Sequence, residues 1–278
     1  MDDAALPSFL PSLLDTTKPT IARVYDASLG GKDNFDVDRR VWERIRAAAP
    51  HQGDVSQMNR RWLARVVGYL ADEVGINQFL DLGSGLPTTE NTHEVAQRHN
   101  PEVQVVYVDI DPICSAHGRA MLEENDFTTF VEADMTRTAD LLKHPDVVRR
   151  IDLDQPVALM QCGTLHHVPD EVDPAGMMRE YIDALPSGSY VAMTHFWDPA
   201  EEDAELSKKA RELEHAFTKL GLGSGYYRTR EQIASLFGDL EMIEPGLVGL
   251  EDWWPTGPRV RRLWPEQHLI LGGVGRKP

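Results

Sequence analysis

The sequence has 278 residues, 41% of them hydrophobic, two cysteines and a formal net charge of −17 at pH 7. This negative charge would repel the phosphate backbone of DNA or RNA, and no run approaches the ~20 apolar residues that a membrane helix needs, so neither partner is expected. Two cysteines cannot build a disulfide framework and the first residues do not resemble a secretion signal, which together predict a cytoplasmic protein.

The first 75 residues contain helical patterns before any strand pattern. Residues 1–18 mix prolines and small polar residues around a few leucines, and they are predicted to be a flexible tail. Residues 19–75 place apolar side chains at helical spacing, for example Val41, Ile45 and Ala48. Helices that precede the first strand of an α/β fold pack over its ligand-binding edge or on a flank. We therefore expect residues 19–75 to form a helical cap over a ligand cleft.

The first predicted strand leads directly into two glycines. Residues 79–82 are apolar enough for a buried strand, and Gly83 and Gly85 allow backbone angles that a Cβ would forbid. A helix is expected to start near Thr88 or Thr89, whose hydroxyls can cap its first amides. A strand, a glycine turn and a helix in this order hold a nucleotide-like cofactor in α/β proteins.

Acidic residues end the next two predicted strands. Residues 105–108 lead into Asp109, roughly 20 residues past the glycines, where the ribose hydroxyls of a cofactor need an acceptor. Residues 128–133 lead into Asp134. Because the carboxyl ends of parallel strands share one edge of a sheet, these endings are expected to contribute to one site.

Histidines follow the fourth and fifth predicted strands. Residues 156–161 are followed by His166 and His167, and residues 189–194 are followed by His195. A histidine with an ordinary pKa near ~6.5 can take a proton from an attacking hydroxyl, amine or acid. All three are therefore candidate catalytic bases. The alternative for each is an imidazole that only fixes or packs its own segment.

Two apolar segments near the carboxyl terminus, residues 242–248 and 267–274, are predicted to be the last strands. Trp253, Trp254 and Trp264 lie in the predicted loop between them. These aromatic side chains either form a wall of the substrate site or pack the loop onto the body of the protein.

Three motifs end the first three predicted strands: Asp81-x-Gly83-x-Gly85, Asp109, and Ala133-Asp134-Met135. Together they resemble the first three motifs of class I S-adenosylmethionine-dependent methyltransferases. Further segments, spread from about Pro19 to about Val274, resemble an actinobacterial methyltransferase family long catalogued as a domain of unknown function. They are Ala22-Arg23-Val24-Tyr25-Asp26, Gly30-Gly31-Lys32-Asp33-Asn34, Asn59-Arg60, residues 78–88, Val106-Tyr107-Val108-Asp109 and Leu165-His166-His167-Val168.

The resemblance implies a fold and its division into domains. The fold is α/β, with a Rossmann-like seven-stranded sheet, helices on both faces, a final antiparallel hairpin and an N-terminal helical cap. Residues 76–278 would form the S-adenosylmethionine-binding domain.

The resemblance also implies roles for individual residues. In the cofactor site, the methionine pocket would be shaped by Asp81, Gly83 and Gly85. The ribose, the adenine and the cofactor's amino group would be contacted by Asp109, Ile110, Asp134, Met135 and the carbonyl of Gly163. In the cap, the polar residues that could reach cofactor or substrate are Tyr25, Lys32, Asp33, Asn34 and Asn59, and the resemblance supports this role for the Gly30–Asn34 turn. The alternative for Asp33 and Asn34 is that they cap the helix predicted near Phe35.

The sequence thus predicts an S-adenosylmethionine-dependent methyltransferase with an unidentified small-molecule acceptor. Two alternatives stay open: a non-catalytic protein that binds S-adenosylmethionine or S-adenosylhomocysteine, and an NAD-dependent Rossmann oxidoreductase. The oxidoreductase is disfavoured because the dinucleotide fingerprint counted from Gly83 needs a third glycine where Thr88 stands. No metal site is predicted, since Gln97 occupies the place where a zinc helix beginning at His93 needs its second histidine.

Overall fold

The computed structural model describes residues 15–88, 90–98, 100–121, 125–219, 222–255, 257 and 261–278. These residues form a mixed α/β fold with a central sheet and helices on both faces. Most of the predicted N-terminal tail, residues 1–14, lies outside this range. No helix in the described ranges is long and apolar enough to cross a membrane.

Three helices precede the sheet: α1 (Ile21–Ser28), α2 (Asp36–Ala48) and α3 (Gln52–Gly68), the last continuing as a π-helical turn over Tyr69–Glu73. α1 begins where the Thr20 hydroxyl accepts a hydrogen bond from a first-turn amide. α2 begins where Asp38 accepts from the Phe35 amide at 2.9 Å. The buried side chains of these helices share one hydrophobic cluster with the sheet, so the helices and the sheet are packed as one body.

The sheet follows the order β3-β2-β1-β4-β5-β8-β6, with β7 also paired to β8. Strands β1 to β5 are parallel, whereas β8 is antiparallel to β5 and to the two short strands at its other edge. The strand bounds are β1 Gln78–Leu82, β2 Gln104–Asp109, β3 Thr128–Glu132, β4 Ala158–Cys162, β5 Tyr190–Phe196, β6 Glu241–Met242, β7 Val248–Gly249 and β8 Ile270–Arg276. The predicted α/β fold is confirmed. The short strands β6 and β7 both pair with β8 and together take the place of the seventh strand of the predicted sheet. The strand order reverses between β1 and β4, where open α/β sheets bind ligands.

The remaining helices are α4 Thr92–Ala96, α5 Pro112–Met121, α6 Thr138–Leu141, α7 Pro145–Arg150, α8 Pro174–Ala184, α9 Ala204–Lys219, α10 Arg230–Ser235 and α11 Pro265–His268. Alternate residues of each strand point to opposite faces of the sheet. Phe79 and Val105 therefore pack towards α1 to α3, while Leu80 and Val106 pack towards α6 to α8. Burial on both faces explains why the parallel strands are nearly continuous apolar runs.

The helix after the glycines begins later than the sequence predicted. α4 starts at Thr92, because Asn91 and Glu94 form a capping box in which the Asn91 amide donates to Glu94 at 2.7 Å. The expected start at Thr88 is wrong, and Thr89 lies outside the described residues.

The last strands also differ from the sequence prediction. Residues 242–248 form two short strands rather than one, because the chain turns where the Gly246 amide donates to the Ile243 carbonyl at 2.8 Å. Gln267 belongs to α11, so the final strand begins only at Ile270. The fifth strand is longer than predicted and ends at Phe196, which places His195 inside it.

Candidate active site

A cleft of about 640 Å³ opens at the carboxyl ends of the parallel strands. One wall consists of the segments that follow β1 to β4 together with residues of β5 and β8, and the remaining lining residues come mainly from α1, α2, α3 and the end of α9. Its volume lies within the ~300–1,000 Å³ that is usual for small-ligand pockets. The sheet edge and the helices that precede the sheet thus both contribute to the lining of the cleft.

The glycine turn, residues 83–85, borders the cleft with all three of its amides hydrogen-bonded inside the protein. The Gly83 and Ser84 amides donate to the Val108 carbonyl at 2.8 and 3.0 Å. The Gly85 amide donates to the Asp109 carboxylate at 2.8 Å. Gly83 and Gly85 both have positive φ, and at Gly85 a Cβ would meet open space. The turn therefore admits a ligand close to the backbone but presents it no free amide.

Asp109 lies at the end of β2, where it fastens two segments of the cleft wall. One carboxylate oxygen accepts from Gly85 and the other accepts from the Asp111 amide at 2.9 Å. Each oxygen has a second lone-pair site, so both can still accept from a ligand. Burial raises the pKa of Asp109, and the two backbone donors oppose that shift.

The predicted adenine-side residues lie next to Asp109 along the cleft. Ile110 leaves 64% of its surface exposed, which is unusual for a large apolar side chain beside a pocket. Asp134 accepts from the amide and hydroxyl of Thr136 with the same oxygen, at 2.8 and 2.7 Å. The Met135 carbonyl accepts from the Tyr181 hydroxyl at 2.6 Å, which fixes the segment after β3.

Asp81 differs from the other predicted cofactor residues because it does not line the main cleft. It lies behind the glycine turn beside a cavity of about 10 Å³ and accepts from the Thr92 hydroxyl at 2.6 Å. Burial raises the pKa of Asp81 to about 6. Arg60 borders both cavities, and its Nη2 donates to the Glu90 carbonyl at 3.0 Å.

The middle of the cleft contains Gly163, which follows β4 with φ +81°. A Cβ there would lie 3.0 Å from Nδ2 of Asn59, so only glycine lets α3 approach this closely. Asn59 accepts from the Thr194 hydroxyl at 2.7 Å and donates to the Tyr25 hydroxyl at 3.3 Å. The Tyr25 hydroxyl donates to the Ser56 carbonyl at 3.1 Å. Tyr25, Asn59 and Gly163 are thus held close together in the lining of the cleft.

The Gly30–Asn34 turn, in contrast, does not line the cleft. Lys32 is exposed, while the Asp33 amide and the Asn34 side chain both donate to Asp26, at 3.0 and 2.7 Å. Neither Asp33 nor Asn34 caps α2, whose start is fixed by Asp38. Their hydrogen bonds instead fasten the turn to the end of α1.

Two of the three predicted histidines line the cleft. His166 is 3% exposed and stacks on Phe196 with ring centroids 3.7 Å apart. Its Nδ1 is buried without a hydrogen-bond partner in the described part of the chain. His167 is partly exposed into the cleft, and its Nδ1 lies 2.9 Å from the Ser224 hydroxyl. Burial lowers the pKa of His166 well below its ordinary value and that of His167 to about 4.

His195 lies outside the cleft lining, with both ring nitrogens engaged. Its Nδ1 is 2.7 Å from the Phe196 carbonyl and its Nε2 is 2.8 Å from Nη1 of Arg228. Because a guanidinium only donates, Nε2 must accept, so Nδ1 carries the proton. Arg228 also donates to the Leu165 and Val168 carbonyls at 3.1 and 2.8 Å. His195 therefore belongs to a network that fixes the turn containing His166 and His167.

Comparisons with known proteins identify the family of this chain. The sequence matches the S-adenosyl methyltransferase family over residues 8–278. The chain belongs to this family. A solved structure of a candidate methyltransferase from Thermobifida fusca YX is 44% identical, with 98% of this chain and 99% of that chain covered and a TM-score of 0.89. A solved structure of a DUF574 family protein from Streptomyces avermitilis MA-4680 is 35% identical. The alignment covers 95% of this chain and 99% of that chain, with a TM-score of 0.86.

Membership of the S-adenosyl methyltransferase family confirms the resemblance found in the sequence and the predicted methyltransferase function. A comparison with curated proteins gives no match. Both related structures align over nearly their whole length, so the helices before the sheet belong to the shared fold of this methyltransferase.

The buried, uncharged state of His195 in this methyltransferase predicts a pH-dependent stability. Burial lowers the pKa of His195 to about 3, whereas the unfolded chain binds the proton near its ordinary value. Acidification below pH ~6.5 therefore favours the unfolded state. Between pH 7 and pH 5, we expect the wild type to lose about 2 kcal/mol more unfolding free energy than His195→Gln, whose amide cannot titrate. Urea unfolding at both pH values measures this, and equal losses in the two proteins would contradict it.

The structure adds site residues that no local sequence pattern marks. Ser224 contacts His167 and Arg228 contacts His195, both from the segment that follows α9. The one sequence feature that marks this segment is Gly225. A Cβ at Gly225 would lie 2.7 Å from Cβ of Phe217, so a larger residue would push this segment away from α9.

The three tryptophans that were candidates for a substrate wall do not line the cleft of this methyltransferase. Trp253 is buried and donates to the Gly272 carbonyl at 2.8 Å. Trp254 packs on Tyr69, and Trp264 stacks on His51. They hold the segment before β8 against α3 and its continuation.

Proposed function

We propose that this methyltransferase uses S-adenosylmethionine as its methyl donor and a small molecule as its acceptor. The observation that carries the proposal is the hydrogen bonding of the glycine turn, whose three amides all pair with Val108 or Asp109. A dinucleotide cofactor needs free amides at such a turn for its pyrophosphate. S-adenosylmethionine contains no phosphate and does not need them, so the turn favours it over NAD.

The residues around the turn fit the parts of S-adenosylmethionine. Asp109 keeps acceptor capacity for the ribose hydroxyls. Ile110 and Met135 offer apolar surface to the adenine ring, and the open space at Gly85 admits the ligand close to the backbone. The carbonyl of Gly163 would accept from the amino group of the methionine part.

Two acidic residues would contribute differently. Asp134 uses only one carboxylate oxygen for Thr136, so the other can accept from the adenine amine. Asp81 would support the methionine pocket from behind the glycine turn, because its carboxylate is bonded to Thr92 outside the main cleft.

We also propose that α1, α2 and α3 act as the cap of residues 19–75, with residues 76–278 forming the cofactor-binding domain. In this cap, Tyr25 and Asn59 lie at the cleft near Gly163 and would orient the bound molecules. Lys32, together with the turn that contains it, would maintain the shape of the cap without touching ligand. Covering the sheet edge in this way would exclude water from the reacting groups.

When bound, S-adenosylmethionine supplies a methyl group on a sulfonium, whose carbon–sulfur bond breaks to leave a neutral thioether. Because this leaving group is already activated, alignment of the acceptor supplies much of the catalysis. The acceptor loses a proton as it bonds to the methyl carbon, and Nε2 of His167 would take it. Ser224 can accept the proton on Nδ1, which keeps Nε2 free to act as a base. His166, through its unpartnered Nδ1, is the second candidate base.

A catalytic role fits this cleft better than sensing of the cofactor alone. Beyond Gly163 the cleft continues along His166 and His167 to Phe196 and Phe217. A protein that only bound the cofactor would have no need for this additional space beside two neutral imidazoles.

Calorimetric titration of the purified protein with S-adenosylmethionine, S-adenosylhomocysteine and NAD tests the proposed cofactor. We expect micromolar dissociation constants for the first two and no binding of NAD. Binding of NAD alone would instead identify the oxidoreductase alternative.

A further inference from the structure

The charged residues on the sheet side of the cleft lie at one end of it. The strand order β3-β2-β1-β4-β5-β8 fixes the sequence of strand endings along the cleft. Its acidic lining residues on the sheet side are Asp109, which ends β2, Asp111, which follows β2, and Asp134, which follows β3. Arg60 joins them near β1, where it contacts the Glu90 carbonyl. The proposed function places the cofactor at this charged end of the cleft.

The opposite end, which we call the acceptor half, is formed by β4, β5, β8, α2 and α9. Its apolar lining residues are Trp42, Ile45, Phe196, Phe217, Leu222 and Ile270. Among the described lining residues, none with a charged side chain comes from these elements or the turn after β4. The histidines of that turn are uncharged at neutral pH because burial lowers the pKa of each.

The hydroxyl groups of α1 and α3 that face the acceptor half are already hydrogen-bonded within the protein. The Tyr25 hydroxyl donates to the Ser56 carbonyl, and the Ser28 and Ser56 hydroxyls are 2.8 Å apart. Arg23, which also lines the cleft, is buried, and its charge is balanced by Asp38, whose carboxylate lies 3.3 Å from Nε. Nη1 of Arg23 has no hydrogen-bond partner among the described residues. A ligand in this half would therefore find few polar groups in need of a partner and no counter-ion for a charge of its own.

We propose that the methyl acceptor is an electrically neutral small molecule, apolar except for one protic group that faces His166 and His167. This inference rests on the proposed function, since it assigns the acceptor to the half of the cleft that the cofactor does not fill. Moving an ion into such a lining without a paired charge is strongly unfavourable, whereas an apolar body gains from burial. Burial raises the pKa of the Tyr25 hydroxyl and of the Cys162 thiol, which also line this part of the cleft, so both stay protonated and the two imidazoles are the groups that can take a proton from the acceptor.

Three probes of the same shape test the preference for a neutral ligand. 1-Naphthol, 1-naphthoate and 1-naphthylmethylammonium are titrated calorimetrically into protein saturated with S-adenosylhomocysteine. We expect 1-naphthol to bind at least tenfold more tightly than either ion. Equal or tighter binding of one of the ions, or binding of none of the three, would overturn the inference.

A charge placed in the acceptor half should reverse this preference. In Leu222→Lys, the ratio of 1-naphthoate to 1-naphthol affinity should rise at least tenfold, because the new ammonium supplies a counter-ion. The matched control is Leu153→Lys, which makes the same change at an exposed site outside the cleft and should leave the ratio unaltered. An unchanged ratio in Leu222→Lys would contradict the assignment.

Titration of the wild type and each variant with S-adenosylhomocysteine distinguishes a failure of the acceptor inference from a failure of the proposed function. If this ligand binds but a charged probe is preferred, only the acceptor inference fails. If S-adenosylhomocysteine does not bind the wild type, the proposed function fails and the acceptor inference fails with it.

Discussion

Replacing Asp109 by Asn should weaken S-adenosylhomocysteine binding by about 10- to 150-fold, since a hydrogen bond to a charged group is worth ~1.5–3 kcal/mol. The Asp109 carboxylate accepts from two backbone amides at once, those of Gly85 and Asp111. An amide side chain has only one acceptor oxygen, so in either orientation its NH₂ group faces one of these donors. The variant would thus lose a cofactor contact and also disturb the glycine turn.

The control for this variant is Asp239→Asn, which makes the same chemical change at an exposed position outside the cleft. Its affinity for S-adenosylhomocysteine should stay within about twofold of the wild type. Calorimetric titration measures both variants, and urea unfolding verifies that each is folded. A folded Asp109→Asn protein with wild-type affinity would show that this carboxylate is not the ribose acceptor.

Replacing Arg228 by Met should lower the free energy of unfolding by about 3–5 kcal/mol, because buried acceptors left without donors cost ~1–3 kcal/mol each. Arg228 is 5% exposed, and its guanidinium donates to the Leu165 and Val168 carbonyls and to Nε2 of His195. It also pairs with Asp170 at 2.7 Å, but that partner is largely exposed and should contribute little. Loss of these bonds would release the turn that presents His166 and His167.

Arg211→Met is the matched control, since Arg211 is 65% exposed in its side chain and lies 3.7 Å from Asp198. An exposed pair of this kind should contribute less than ~1 kcal/mol. Urea unfolding at pH 7 compares the two variants. Similar small losses in both would mean that the Arg228 network does not hold the histidine turn in place.

The sheet-edge residues of the cleft could be predicted because each follows from a local signal. A strand that ends in glycine or aspartate places that residue at the carboxyl edge, and parallel strands bring such endings together. Gly83, Gly85, Asp109, Asp134 and Gly163 accordingly line one cleft.

Asp81 shows the limit of this reasoning. Asp81 precedes the glycine turn, and its side chain lies behind that turn, beside the small cavity. The alternation of side chains along a strand does not reveal which face of the sheet borders the ligand.

The remaining features depend on contacts between distant parts of the chain. His195 was predicted to follow its strand, but Phe196 is also apolar and the strand continues through it. Lys32 lies in a turn whose direction is set by hydrogen bonds to Asp26, which the spacing of residues does not show. Arg228 contacts a turn about 60 residues earlier in the chain, as in its 2.8 Å bond to Val168. No pattern within one segment encodes such pairings.

A crystal structure of the protein with S-adenosylhomocysteine tests the central claim most directly. We predict adenine against Ile110 and Met135, ribose hydroxyls on the Asp109 carboxylate, and the thioether sulfur directed towards the turn of His166 and His167. A ligand whose adenine lies among Trp42, Phe217 and the other residues of the acceptor half would contradict the assignment of both halves of the cleft.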